Sequence, residues 1–118
     1  AEYTKRRYLS LKSVPSIPAI IDSLPSKTKD LIKTLKAIFG DAFNLVLQHT
    51  AVRAGKGKRR GRKYKSNAGL LFLTGMEEGA SYSGLDVKPV TALRISDLYP
   101  LGRLTLYTKK ALEEIHAA

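Results

Sequence analysis

Cysteine is missing from all 118 residues. Its absence excludes disulfides, thiolate catalysis and zinc sites that need cysteine ligands. Long hydrophobic runs are missing too, since no segment approaches the roughly 20 apolar residues that a membrane-spanning helix requires. No apolar segment follows the basic residues near the N-terminus, so we expect neither a secretory signal nor a membrane partner. The length and the 43% hydrophobic content fit one globular domain.

Acidic residues are scarce and unevenly distributed. The chain has 10 acidic and 21 basic residues, which give a formal net charge of +11. The segment 53–65 holds eight of the basic residues and no acid, whereas the rest of the chain is nearly balanced. So dense a run of cations repels itself and does not pack into a core, and nucleic-acid phosphate is the obvious anionic partner. The pattern indicates a globular body that carries one basic, nucleic-acid-binding loop.

The basic loop, residues 52–67, combines cations with glycines and one tyrosine. Gly55, Gly57 and Gly61 permit positive φ and a close approach of the backbone to an irregular surface. Tyr64 fits two roles, stacking on an unpaired base or anchoring the loop to the body, and the sequence leaves both open. The residues of this loop predicted to bind RNA are Arg53, Lys56, Lys58, Arg59, Arg60, Arg62, Lys63, Tyr64 and Lys65.

Motifs of catalysis and cofactor binding do not emerge from the sequence. The glycines of the loop form G-x-G-x-x-x-G, one residue away from the dinucleotide-binding fingerprint, and the P-loop pattern fails as well. His49 and His116 are far apart in sequence and form no pair at metal-ligand spacing. We interpret His49 as a local polar contact or a neighbour of RNA. We therefore expect no catalytic residues, no cofactor and no metal site, and an RNA-cleaving enzyme is the least favoured interpretation.

Hydrophobic periodicity predicts alternating strands and helices. The clearest helix is Ser26–Ile38, with Ser26 as N-cap. A second helix, Lys109–His116, follows a Thr108 cap and is predicted to turn Leu112 and Ile115 inward. Asn44–Gln48 fits either a strand or the end of a helical connection. The alternation favours an α/β fold, a small three-layer sandwich with a mostly parallel sheet of about four strands, plus the extended basic loop. The strands are predicted at Ile17–Ile21, Leu70–Thr74, Asp86–Val90 and Arg103–Tyr107.

The polar and basic residues 1–13 are predicted to form an extended arm, ahead of a single α/β RNA-binding domain at 14–118. For this arm a frayed terminus and a contact with RNA remain equally open. Met76–Ser83 is expected to contain a short helix, although Gly79 weakens the pattern.

Two stretches resemble a known family. Val52–Lys65, with the sequence VRAGKGKRRGRKYK, closely resembles the R-A-G-K-G-K-x-R-x-R-R-Y motif of ribosomal protein L-four in its archaeal and eukaryotic form. Gly102–Thr108, with the sequence GRLTLYT, resembles the G-R-L-T-L-W-T segment near that family's C-terminus. The segment SKTKDL that begins at Ser26 is similar to the family's S-x-x-K-T-K-E/D. The resemblance covers residues 14–116.

The resemblance implies a structural constituent of the large ribosomal subunit whose α/β body packs against ribosomal RNA. Its implied partners are large-subunit ribosomal RNA and neighbouring large-subunit ribosomal proteins. Its implied location is the cytoplasmic ribosome, and we expect no homo-oligomer. A free-standing RNA- or DNA-binding module, such as a chaperone or a compaction protein, is the alternative.

The family also carries a longer N-terminal part, with an extended loop that reaches toward the peptide exit tunnel. No matching sequence occurs here, so we expect a short form that lacks this loop. A reduced natural version, one piece of a split gene and a fragment all remain open.

Arg103 follows the glycine that begins the Gly102–Thr108 motif. The alternation of the predicted strand puts Arg103, Thr105 and Tyr107 on the face opposite Leu104 and Leu106. A lone exposed arginine is more often simply solvated, and that alternative stays open. Because Arg103 follows Pro100-Leu-Gly102, a turn that can press the backbone against another surface, we predict that it forms a second RNA contact that fixes the orientation of the domain.

Overall fold

Helices and short strands alternate along the chain in the computed structural model, which describes residues 2–9, 16–82 and 84–117. The helices are α1 (Glu2–Arg7), α2 (Thr28–Phe39), α3 (Phe43–Val46) and α4 (Lys109–Ala117). The strands are β1 (Ala19–Ile21), β2 (Thr50–Val52), β3 (Tyr64–Ser66), β4 (Leu71–Thr74), β5 (Asp86–Pro89) and β6 (Thr105–Thr108). Short 3-10 turns occur at Gly40–Ala42, Lys56–Arg60, Val90–Ala92 and Ile95–Leu98.

Four of the strands form one parallel sheet in the order β1-β6-β4-β5. In the interior of this sheet, Leu106 of β6 pairs with Ala19 on one side and with Phe72 on the other. β1 and β5 are the edge strands, in agreement with Pro18 and Pro89, because a proline cannot donate to a strand ladder. The predicted α/β class with a mostly parallel sheet of four strands is confirmed.

α2 covers one face of the sheet with a stripe of apolar side chains. Leu31, Leu35 and Phe39 recur at helical spacing and are buried in one cluster with Phe72 of β4 and Leu106 of β6. Full burial of a leucine or phenylalanine side chain contributes about 1.5–3 kcal/mol. This layer is therefore the main source of cohesion between the helix and the sheet.

The ends of α2 differ in part from the prediction. Its N-cap is Lys27 rather than Ser26, and no side chain makes a capping hydrogen bond there. Asp30 lies in the first turn instead, where a negative charge favours the positive end of the helix dipole. At the C-terminal end Gly40 has a φ of 47°, a left-handed value that suits glycine.

α4 packs against β4 and β6 and supplies the third layer. Strand alternation turns Leu71 and Leu73 away from the α2 cluster, and both are buried. Thr108 caps α4 as predicted, since its Oγ1 accepts a hydrogen bond from the Ala111 amide at 3.2 Å. The prediction that Ile115 faces inward is wrong, because Ile115 is exposed and Ala111 is the buried residue of this helix.

The N-terminal segment is helical, so the prediction of an extended arm is wrong for Glu2–Arg7. Thr4 is buried, and the turn at Gly102 lies directly against the helix. A Cβ at position 102 would stand 2.5 Å from the carbonyl oxygen of Tyr3, so glycine permits this approach. Residues 10–13 of the predicted arm lie outside the described residues.

Two connections complete the comparison with the sequence. For Asn44–Gln48 the helical alternative fits, since α3 ends at Val46. Residues 76–82 form turns and irregular structure rather than the expected short helix, as the central Gly79 favours, and Ser83 lies outside the described residues. Within the described ranges, no helix has the length and hydrophobicity needed to cross a membrane.

Tyr82 closes the edge of the α2 cluster. Its ring packs against Phe72 with the ring centroids 6.4 Å apart, and its hydroxyl donates a hydrogen bond to the carbonyl oxygen of Pro25. Burial raises the pKa of the Tyr82 hydroxyl above its usual value of 10.0, because a phenolate is poorly solvated there. The neutral form that donates to Pro25 is therefore favoured.

Replacing Leu35 with alanine is expected to lower the free energy of unfolding by about 2–5 kcal/mol, because the fully buried side chain leaves a cavity. Chemical denaturation of the parent and variant chains measures the difference. Ile38 on the same helix is the matched control, since its side chain is 36% exposed and its removal should cost less. Equal losses at the two positions would contradict this placement of the core.

Candidate nucleic-acid interface

The basic loop folds as a two-stranded antiparallel hairpin, separate from the main sheet. In β2 and β3, Thr50 pairs with Ser66, Ala51 with Lys65 and Val52 with Tyr64. One further bond extends the ladder, from the amide of residue 53 to the carbonyl of residue 63 at 2.8 Å. Threonine, valine and tyrosine favour strands, and they order the two stems that the sequence predicted only as an extended loop.

The three glycines of the hairpin have internal roles in its shape. Gly55 and Gly61 flank the 3-10 turn with φ values of 82° and 75°, which glycine adopts without strain. Gly57 permits a close contact, since a Cβ there would stand 2.7 Å from Cδ of Arg53. Approach of these glycines to RNA stays a prediction.

The cations of the hairpin point into solvent. Seven of the eight basic residues predicted as RNA contacts in this element are exposed, and among the described residues none of the eight takes part in an ion pair. The positive charge is thus concentrated and uncompensated. The exposed cations are Lys56, Lys58, Arg59, Arg60, Arg62, Lys63 and Lys65.

Arg53 and Tyr64 differ from the other predicted contacts. Arg53 is half-buried, and its Nε donates to the carbonyl oxygen of Arg62 at 3.2 Å, so it braces the two stems. Tyr64 is 58% exposed beside its cross-strand partner Val52, and Nζ of Lys63 lies 5.4 Å from the ring centroid. This exposure does not fit an anchor to the body and leaves the ring accessible for stacking.

The foot of the hairpin, residues 46–49 and 67–70, is held by short hydrogen bonds. The amide of Leu70 donates to the carbonyl of Val46 at 2.8 Å, and the amide of His49 donates to Oδ1 of Asn67 at 2.6 Å. The two chain segments are so close that a Cβ on Gly69 would stand 2.9 Å from the carbonyl oxygen of Val46. The basic tip is therefore presented from a fixed base.

Two arginines from distant parts of the chain bind consecutive carbonyls at this foot. Nη2 of Arg7 in α1 donates to Ala68 at 3.4 Å, and Nε of Arg103 donates to Gly69 at 2.7 Å. The role of Arg7 was not foreseen, because no motif or periodicity in residues 1–13 marks one arginine apart from its neighbours. The two contacts join the hairpin to both ends of the domain.

The side chain of Arg103 is only 5% exposed, so the prediction of an exposed arginine is wrong. Besides Gly69, its guanidinium donates to the carbonyl of Asp97 at 2.6 Å and forms an ion pair with Asp86. The strand begins at Thr105, so its alternation does not reach residue 103. Contact between Arg103 and RNA stays a prediction, which these internal partners of the guanidinium do not support.

No group of three or more histidine, cysteine, aspartate or glutamate side chains in the described part of the chain is arranged to hold a metal ion. His49 is exposed at the foot of the hairpin, whereas His116 lies in the last turn of α4. The cations of the hairpin are thus the most concentrated chemical feature of the described surface.

Comparison with known proteins gives the family. No protein-family profile matches the chain. The chain is 41% identical over 96 residues to the large ribosomal subunit protein uL4 of Methanococcoides burtonii, a match that covers 73% of the chain. It is 37% identical over 97 residues to uL4 of Halorubrum lacusprofundi and 30% identical over 128 residues to uL4 of Methanosphaera stadtmanae, with 76% and 97% of the chain covered.

These matches span 38%, 39% and 49% of the respective relatives, so the chain corresponds to less than half the length of each. The resemblance that the Val52–Lys65 and Gly102–Thr108 motifs indicate is nevertheless confirmed over most of this chain. The chain belongs to the L-four (uL4) family of ribosomal proteins.

Proposed function

We propose that this chain is a structural constituent of the large ribosomal subunit in the cytoplasm and that its basic hairpin binds ribosomal RNA. The hairpin is the main support for the proposal, because it presents seven exposed cations from a hydrogen-bonded base and has no acid between residues 53 and 65. The name shared by the relatives, large ribosomal subunit protein, supports the assignment to that particle. The role is architectural rather than catalytic.

Phosphate contacts supply most of the affinity in this proposal. Lysines and arginines of the tip neutralise phosphates that RNA tertiary folding brings together, and the counterions released make binding favourable. Arg59, Arg60 and Arg62 can each grip a phosphate through two hydrogen bonds, which lysine cannot do. Stacking of Tyr64 on an unpaired base adds on the order of 1–3 kcal/mol.

Recognition is expected to depend on RNA shape. The deep groove of an A-form helix is too narrow for side chains to read, so the hairpin meets backbone and exposed bases. Because Arg7, Arg103 and the hydrogen bonds of the foot already hold the base of the hairpin, less conformational entropy is lost when the tip binds. A fixed base thus increases affinity without adding contacts to RNA.

Sedimentation tests the assignment to the ribosome. The tagged chain, expressed in an archaeal host that contains ribosomes of this type, is expected to remain with large subunits through a high-salt gradient. Identification of the bound RNA and proteins would name its neighbours. Release into the light fractions together with unrelated nucleic acid would favour a free-standing RNA- or DNA-binding module instead.

The salt dependence of binding tests the hairpin as an electrostatic element. With five to eight phosphate contacts, the plot of log affinity against log salt concentration should have a slope of about −4 to −6. Titration of a structured RNA at several salt concentrations gives this slope. A value shallower than about −2 would mean that too few phosphates are contacted for the hairpin to be the main binding element.

A further inference from the structure

We propose that a pocket at the foot of the hairpin binds one unpaired RNA base, an inference that rests on the proposed RNA-binding function. The pocket has a volume of about 310 Å³ and is lined by His49, Ala51, Lys65, Ser66 and Asn67. It lies within the size range of about 300–1,000 Å³ that is usual for small-ligand sites. The volume is ample for a nucleobase.

The register of the hairpin places these lining residues together. Ala51 pairs with Lys65. Two residues nearer the foot, His49 faces Asn67, whose backbone amide donates to the His49 carbonyl at 3.3 Å. Side chains two residues apart on a strand share a face, so His49, Ala51, Lys65 and Asn67 project from one side of the ribbon. Val52 and the Tyr64 ring project from the other side.

The chemistry of the pocket fits a base with its flanking phosphate. The exposed imidazole of His49 offers a flat face for stacking, and aromatic rings of this kind hold splayed-out bases in RNA-binding proteins. The methyl group of Ala51 adds an apolar wall. Lys65 places a cation at the rim for the phosphate.

The pocket wall is ordered before any RNA binds. Oδ1 of Asn67 accepts the His49 amide at 2.6 Å, which fixes the backbone that carries the imidazole. Such preorganisation lowers the entropy cost of binding.

Charge continuity favours RNA over a protein side chain as the occupant. Toward the tip, the next pair on the same face of the ladder is Arg53 and Lys63. An RNA strand whose phosphates follow these cations brings its bases alongside the pocket. The absence of acids from residues 53–65 gives a basic protein partner nothing to pair with.

Binding of two matched RNA duplexes tests the inference with the 118-residue chain. One duplex carries a single bulged 2-aminopurine, and the other is fully paired. The chain is expected to bind the bulged duplex about 5- to 150-fold more tightly, the range that stacking of one base supplies. Fluorescence anisotropy of an end label measures the affinity, and 2-aminopurine emission, which falls on stacking, reports insertion.

Three variants separate the pocket from the rest of the hairpin. H49A is expected to remove the preference for the bulge and the change in emission, whereas H49F, which keeps a flat ring, retains both. T50A changes the adjacent residue on the opposite face and should leave the preference unaltered. Since the imidazole is exposed, thermal melting should show that all three variants remain folded.

Equal affinity of the parent chain for the two duplexes, or equal effects of H49A on both, would overturn the base pocket even if salt-dependent binding persists. Such a result would point to a protein neighbour in the pocket. Failure of the proposed function itself has a different signature, the loss of salt-dependent binding to both duplexes.

Discussion

Simultaneous replacement of Arg59, Arg60 and Arg62 by alanine is expected to weaken the binding of structured RNA about a hundredfold at 0.15 M salt. The estimate follows from counterion release, in which each phosphate contact contributes about 4–5-fold to the affinity at this salt concentration. The slope of log affinity against log salt should also become shallower by about 2–3. Filter binding or anisotropy across a salt series measures both quantities.

The same triple variant should melt at nearly the parent temperature or slightly above it. All three side chains are exposed and take part in no described ion pair, and their removal relieves repulsion within the tip. A matched control removes three lysines outside the hairpin, the N-cap residue of α2 and two lysines within that helix, which lowers the net charge equally. The control changes are Lys27→Ala, Lys29→Ala and Lys33→Ala.

Equal loss of affinity in the two triple variants would show that net charge, rather than the hairpin, governs binding. Unfolding of the hairpin variant would show instead that the basic tip is part of the core. Either result contradicts the proposed interface.

Arg103→Ala is expected to lower the free energy of unfolding by roughly 2–4 kcal/mol. The change leaves the carbonyls of Gly69 and Asp97 without their donor and leaves a void in place of a buried guanidinium. The full penalty of an orphaned buried charge does not apply, because the Asp86 side chain is 45% exposed and can be hydrated. Chemical denaturation measures the loss.

Two conservative variants show which contact of Arg103 matters. Arg103→Lys keeps the charge but cannot donate to three separate acceptors, so it should recover only part of the stability. Asp86→Asn removes the ion pair and should cost less than Arg103→Ala. Amide hydrogen exchange at Leu70 should accelerate in Arg103→Ala, since the foot loses its contact at Gly69. Unchanged exchange there, with full stability, would refute the role of Arg103 as a tie between the hairpin and the body.

The sheet was predictable because its strands have a simple signature. Leu70–Thr74 is apolar on both faces, as a strand covered by helices on both sides must be. Pro18, just before β1, and Pro89, at the end of β5, indicate edge strands. The strand order was not predictable, since no local sequence feature of Thr105–Thr108 indicates that this strand lies between β1 and β4. That order depends on pairings between residues far apart in the chain.

The interface was predictable in composition but not in geometry. The charge density of residues 53–65 was enough to identify the exposed cations, and the sequence also identified Tyr64 as a residue that could stack on a base. The burial of Arg103 escaped prediction because its partners, Gly69, Asp86 and Asp97, come together only through the tertiary fold. Strand alternation predicts which side chains are exposed only for residues inside a strand, and Arg103 precedes β6.

The position of β6 between β1 and β4 also sets an order of events during synthesis. Among the described strands β1 pairs only with β6, so the sheet cannot close until the residues up to Thr108 have been made. The hairpin pairs locally and forms on a scale of about 1–10 μs, whereas parallel pairing between distant strands is slow. A nascent chain therefore carries the basic hairpin on an unfinished body, where a two-stranded ribbon is at best marginally stable. Arg103 and β6 emerge together, so the same few residues complete the sheet and fasten the foot of the hairpin.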